Sequence, residues 1–234
     1  MLLYDNSWSG NCYKVRLLAH QLGYRLVRED ENGERQDAPG MADRAASTIE
    51  HGALPAAKLG ITLERRELSV SDRGNRRDVL GGLNPALRVP TLILDDGRSL
   101  GESNAILWYL SDGTAYIPED RFERAQVLQW QFFEQYDHEP NIAVARFWRL
   151  AGIEPSEADL KARRDGGVRA LEALERHLSA REFLVGERYT LADISLYAYT
   201  HVAPEGGFEL EPYPAVRAWL QRVARQPDHI EITD

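Results

Sequence analysis

Residues 88–106 read Arg88-Val89-Pro90-Thr91-Leu92-Ile93-Leu94-Asp95-Asp96-Gly97-Arg98-Ser99-Leu100-Gly101-Glu102-Ser103-Asn104-Ala105-Ile106. Thr91 to Leu94 and Arg98 to Leu100 predict two strands, joined at Asp95-Asp96-Gly97, where glycine supplies the positive φ that a tight hairpin needs. Ser103 then precedes an apolar run, which predicts a helix from Ser103 to Leu110. Working upstream, Leu2 to Tyr4 predicts a strand, and Val15, Leu18 and Leu22 recur at helical spacing up to a cap at Gly23. Ile61 to Glu67 predicts a further strand. The first half of the chain is thus expected to be α/β, in the order strand, helix, strand, two hairpin strands and helix.

An internal echo complicates this half. Leu22-Gly23-Tyr24-Arg25-Leu26, through Arg28-Glu29, resembles Leu59-Gly60-Ile61-Thr62-Leu63, through Arg66-Glu67. Between the copies lie a polar stretch ending at Pro39-Gly40 and then Met41 to Leu59, which predicts a helix interrupted near Gly52 and Pro55. The segment of about residues 24–60 reads as an insertion, and either copy is able to supply the strand after the first helix.

Past Pro118 the pattern becomes helical throughout. Ala125, Leu128, Phe132, Phe133 and Tyr136 form one apolar stripe and Val168, Leu171, Leu174 and Leu178 another, each expected to face a bundle core. Thr190-Leu191-Ala192-Asp193 predicts a capping box, with Asp in place of the usual Glu or Gln. Pro212 and Pro214 precede a final helix carrying Val216, Trp219 and Val223. Two domains are expected, residues 1–112 and an all-α domain over 119–234.

Composition narrows the function. The 234 residues carry 28 Lys and Arg against 37 Asp and Glu, a net charge of −9 and a pI of 5.3, with 43% apolar residues. A chain that acidic, with no basic block, has no electrostatic grip on nucleic acid or anionic lipid. Ala105 to Leu110 falls far short of the about 20 apolar residues that span a bilayer, and Met1 to Asp5 does not read as a signal peptide. Cys12 is the only cysteine, which excludes an internal disulfide or a CxxC pair. The six histidines fall in no HxH or HExxH pattern, and no glycine-rich phosphate loop occurs, so neither metal nor nucleotide is expected. A cytoplasmic location follows from these readings.

Three places hold chemistry. Gly101-Glu102-Ser103-Asn104-Ala105 superficially matches a nucleophile elbow, but the strand before it belongs to a hairpin and no parallel strands follow. Ser103 therefore caps a helix or, with the free amides there, binds a carboxylate, the reading preferred here. Ser7, Ser9, Asn11 and Cys12 crowd the loop entering the first helix, where an anion meets the positive helix end. Ser9 as a plain cap with Cys12 buried stands beside a thiolate-stabilising site. Val89-Pro90 at a strand entrance is either an ordinary trans proline or a cis bond presenting backbone groups to a ligand.

Taken together, Ser9-Gly10-Asn11-Cys12-Tyr13-Lys14-Val15-Arg16, Leu83-Asn84-Pro85, Arg88-Val89-Pro90 and Glu102-Ser103-Asn104-Ala105-Ile106 resemble the cytosolic glutathione S-transferases. Phe133-Glu134-Gln135-Tyr136 with His138-Glu139-Pro140 is similar to the first long helix of bacterial members. The resemblance implies an α/β thioredoxin-like N-terminal domain, a βαβ unit followed by a ββα unit on one mixed sheet, joined to an all-α helical bundle, a homodimer, and detoxifying transfer of electrophiles to glutathione as the only co-substrate. It implies a glutathione site at Arg88, Val89, cis Pro90, Glu102 and Ser103, with Ser9 donating to the thiolate and Ser7, Asn11 and Cys12 as alternatives. A second-substrate pocket would draw on Trp130, Tyr136 and Arg146, although core or dimer contacts explain Trp130 and Tyr136 as well. Cys12 as the working residue would instead imply a thiol reductase acting through a mixed disulfide, and loss of glutathione binding an interaction module. The family's usual spacing to Leu83-Asn84-Pro85 favours Ile61 to Glu67 as the strand, leaving the insertion to loop out.

Overall fold

The computed structural model describes residues 1–29, 35–37, 61–69 and 76–234. The expected interrupted helix over 41–59 lies outside them. Two compact units divide the chain: Met1–Ala115 with Pro227–Asp234, and Tyr116–Gln226. Pro227–Asp234, which the sequence groups with the helices, belongs to the first unit.

The first unit is built on β1 (Leu2–Asp5), α1 (Gly10–Gln21), β2 (Arg25–Glu29), β3 (Arg35–Asp37), β4 (Thr62–Glu67), α2 (Arg76–Leu80), β5 (Thr91–Ile93), β6 (Ser99–Leu100) and α3 (Ser103–Leu110). Both copies of the echoed sequence become strands. The second, β4, lies parallel to β1 with Leu2 opposite Glu64, as the family spacing favours, and the first, β2, is added parallel on the outside of β4. The sheet order is β3-β2-β4-β1-β5-β6, with β5 antiparallel to β1. α1 ends where Gly23 takes φ 79°, a conformation that a side chain would disfavour, and the amide of Tyr24 reaches back to the carbonyl of Ala19. Alternation along β1 sends Leu3 into a core with Leu17, Leu18, Leu63, Leu92 and Leu107, and Tyr4 into a second cluster with Leu68 and Leu80.

The second unit holds α4 (Arg121–Phe133), a π-helical turn (Glu134–His138), α5 (Glu139–Leu150), α6 (Glu157–Leu178), α7 (Leu191–Thr200), a 3₁₀ turn (Ala203–Gly206) and α8 (Pro214–Ala224). Every residue of α7 is buried, so it is the central helix, as its apolar circumference requires. Its capping box is present, Thr190 and Asp193 each bonding the other's backbone side.

The stripe expected to bury on α4 does not. Phe132 and Tyr136 are 70% and 85% exposed and Leu128 is also exposed. The inward face instead carries Val127, Trp130, Gln131, Glu134 and His138. Its polar members are accommodated because α7 offers hydroxyls: Gln131 donates to Ser195 (3.1 Å) and His138 meets Thr200 (2.9 Å), while both hydroxyls donate to carbonyls one turn back. On α6, Leu171, Leu174 and Leu178 bury as expected, and Val168 does not.

Candidate functional site

The site grows from the loop between β1 and α1. Ser9 caps α1, its Oγ accepting from the Cys12 amide at 3.3 Å. That bond uses an oxygen lone pair, and the Ser9 side chain also hydrogen-bonds the Cys12 side chain. The other three candidates in the loop are committed elsewhere. Ser7 donates its proton to Glu67 on β4 (3.1 Å), whose other oxygen accepts the Ser7 amide. The Asn11 carbonyl accepts from Lys14 Nζ (2.8 Å) and from Ser103 Oγ (3.2 Å). Cys12 is fully buried, and burial, followed by the nearby Asp5 carboxylate, pushes its thiol well above the ordinary range. Burial of this kind disfavours the thiolate form.

The Ser103–Asn11 bond ties the N-terminus of α3 to the first turn of α1. Two positive helix ends are thereby brought together, each with amides its own helix cannot satisfy. Ser103 is buried, and Glu102 before it is exposed with φ 61° and ψ 115°. A non-glycine residue held there costs on the order of 1–3 kcal/mol, an outlay that such sites carry where a backbone must face a ligand.

The third wall is the entrance to β5. The Val89–Pro90 peptide is cis, the arrangement the family resemblance implies. Asn84 organises this corner: its Nδ2 donates to the Arg88 carbonyl (3.1 Å) and to Thr91 Oγ1 (2.9 Å), and Thr91 Oγ1 donates to the same carbonyl (2.8 Å). Asn84 also lies against Gly101, where a Cβ would come within 2.9 Å of its Nδ2. With the Arg88 carbonyl pinned, the Val89 backbone groups are left without a partner among the described residues. The Arg88 side chain itself is exposed.

Beneath the loop lies a buried charge cluster. Asp5 accepts from Arg16 (2.7 Å) and from Arg65 (2.7 Å), and all three are almost wholly buried. Burial raises the Asp5 carboxyl, but the two guanidiniums and the hydrogen bonds from Arg65 and the Asn6 amide outweigh it and hold the group below its usual value. For Arg65, burial is the larger influence and lowers its value despite Asp5.

Reading the sequence alone missed Asn84 as an organiser, Glu67 as the loop's acceptor and Arg16 as a buried ion. The motif containing Asn84 was visible; its hydrogen bonds were not.

These elements match known proteins. A model of the glutathione S-transferase C-terminal domain covers residues 127–227 and one of the N-terminal domain covers 53–112. A glutathione S-transferase structure from Pseudomonas fluorescens superposes with a TM-score of 0.79 at 39% identity, covering 100% of this chain and 98% of that one. The chain belongs to the glutathione S-transferase family. Glutathione S-transferase 2 of Anopheles gambiae is 33% identical over 71% of this chain and 80% of its own length. Elongation factor 1-gamma of Danio rerio is 35% identical over 65% of this chain, and the match spans only 35% of that longer protein. As in the family, the thioredoxin-like sheet precedes an all-α unit. The N-terminal family model begins beyond most of the insertion and includes β4.

The transferase second-substrate candidates are placed differently from one another. Trp130 is a core residue of the helical unit, edge-on to Phe133 and His177 with centroids 5.4 and 4.6 Å away. Arg146 is buried and pairs with Glu205 at 2.7 Å. Tyr136 is open to solvent. Among the described residues no helix is long and apolar enough to cross a membrane.

Proposed function

We propose that this chain binds glutathione and transfers it, as a thiolate, to an electrophilic small molecule. The observation that carries this reading is the joining of two helix N-termini through Asn11 and Ser103, with the Ser9 hydroxyl at the first turn of one of them. In this reading the γ-glutamyl carboxylate rests on Ser103 and the amides of α3 next to Glu102. The cysteinyl backbone pairs with Val89, beside Arg88 and Pro90. The thiol loses its proton to solvent and the thiolate is held by the Ser9 O–H and the positive end of α1. Sulfur then forms a bond to the electrophilic carbon, and a leaving group departs or the product of addition is protonated.

The exposed row Leu128, Phe132 and Tyr136 supports a homodimer, because contiguous apolar patches are rare on monomers. A reducing, cytoplasmic setting suits a thiol co-substrate and a lone free cysteine. A second reading, an interaction module of the same fold, is favoured by the likeness to elongation factor 1-gamma.

Conjugation of glutathione to an activated aryl halide tests the choice. Ser9→Ala should lower kcat/KM by about a hundredfold, the scale of one donor lost from a developing or held anion, and Cys12→Ala should remain active. A chain that binds glutathione yet conjugates nothing would favour the module. The reverse pattern, with Ser9→Ala active and Cys12→Ala dead, would restore the thiol reductase.

A further inference from the structure

One face of α1 is polar and yet buried. Tyr13, Arg16 and His20 follow at three- and four-residue spacing, so they share a helix face. All three point at carbonyls of one returning segment, Pro227–Asp234. Tyr13 donates to the Ile230 carbonyl (2.7 Å) and His20 Nδ1 to that of Asp228 (2.8 Å), while Arg16 donates to that of Ile232. His229 adds a bond from its Nε2 to the Tyr13 hydroxyl (3.2 Å), which suits a donating Nε2 because that hydroxyl already gives its proton away. The side chains of Ile230 and Ile232 are buried.

Arg16 is where this segment meets the site. Its guanidinium is wholly buried, and one nitrogen bonds Asp5 (2.7 Å) and the Asn6 carbonyl (3.2 Å). The other bonds the Ser7 carbonyl (3.3 Å) and the Ile232 carbonyl. Asn6 and Ser7 are the loop residues that lead directly into Ser9, and the Ser9 amide in turn bonds the Asn6 carbonyl (3.1 Å). Acceptors around a buried guanidinium offset its loss of solvent, and its planar fork fixes the relative positions of whatever accepts from it; Nε has no partner among the described residues, so the two terminal nitrogens carry that role.

We propose that Pro227–Asp234 is a positioning element for the glutathione site, acting through Arg16. The Ile232 carbonyl is one of four acceptors around the two terminal nitrogens that hold the Arg16 fork in one orientation, and the fork holds the Asn6 and Ser7 carbonyls so that the Ser9 hydroxyl keeps its place. Arg16 itself touches no substrate in this scheme. The proposal rests on Ser9 as the thiolate donor for its functional consequence, but the mechanical link from Ile232 to the loop stands on the hydrogen bonds alone.

Hydrogen exchange on the full chain tests that link without any activity. The amides of Ser7, Trp8 and Ser9 donate to no helical carbonyl; they donate to Glu67, the Asn6 side chain and the Asn6 carbonyl, so they report loop order directly. Two variants separate the carbonyl from the buried side chain: a chain shortened after Glu231, and Ile232→Ala, which keeps the carbonyl. The shortened chain should exchange these three amides about tenfold faster, as expected for one charge-assisted bond lost, and Ile232→Ala should change them much less. The same shortened chain should retain glutathione affinity within about threefold while kcat falls by about tenfold, a split that general loosening of the fold would not produce. Equal acceleration in both variants, or none in either, would overturn the link. Failure of the intact chain to bind glutathione would overturn the functional reading and not the link.

Discussion

Asp193 should be the most costly single side chain to remove from the helical unit. Its carboxylate accepts from the amides of Leu184 (3.0 Å) and Thr190 (2.9 Å), from the Trp219 indole (2.9 Å) and from the Thr190 hydroxyl (3.3 Å). All of these groups are buried around the first turn of α7. Asp193→Ala strands three buried N–H donors. Each stranded donor costs about 1–3 kcal/mol, and allowing for partial relaxation and non-additivity the total should be about 4 kcal/mol. Asp193→Asn retains one accepting oxygen and turns an NH₂ toward donors that need an acceptor, so it should lose about half as much. Urea denaturation followed by tryptophan fluorescence reads both, since Trp219 is one of the partners. A loss below about 1 kcal/mol for Asp193→Ala, or equal losses for the two variants, would refute the reasoning that the carboxylate is needed for its accepted bonds.

Other outcomes follow from the same structure. Cys12 should resist alkylation by a small iodoacetamide in the native protein at neutral pH and react fully once the chain is unfolded; rapid native labelling would show the thiol to be accessible. Asp5 has its folded value held below the unfolded one, so its contribution to stability is complete above the unfolded carboxylate range and is lost as pH falls through the folded value. Acid titration should show wild type losing more stability below about pH 4 than Asp5→Asn does, and parallel curves would contradict the cluster. Gly167→Ala would bring a Cβ within 2.3 Å of the Phe208 ring. It should therefore destabilise by about 2 kcal/mol net of the helix propensity it gains, and a rise in thermal midpoint would show that Phe208 moves aside.

The fold was legible because its elements carry local signals. The hairpin turn at Gly97, the cap at Gly23 and the box at Thr190 and Asp193 are set by backbone geometry within a few residues, and each appears where the residues imply. The wrong stripe on α4 shows the limit. Periodicity identifies an apolar face, but what covers it depends on distant partners, and here Ser195 and Thr200 make Gln131 and His138 good core residues while Phe132 stays outside. The insertion posed a similar question, resolved by both copies pairing side by side rather than one displacing the other.

For the site, Ser103, Glu102 and the Val89–Pro90 corner were readable as motifs. The surroundings of Ser7, Ser9, Asn11 and Cys12 were not, because they depend on Glu67, Ser103 and Asp5, which lie far along the chain or on another element. Nothing near Arg16 in sequence signals its burial, which rests on the return of Pro227–Asp234 and on the carboxylate of Asp5.

Calorimetric titration with glutathione addresses the central claim most directly. Saturable binding by the intact chain, weakened about tenfold or more in Ser103→Ala as one bond to a carboxylate is lost, is the result expected if the two helix ends form the glutathione site. No heat of binding at millimolar glutathione, or full affinity in Ser103→Ala, would contradict it.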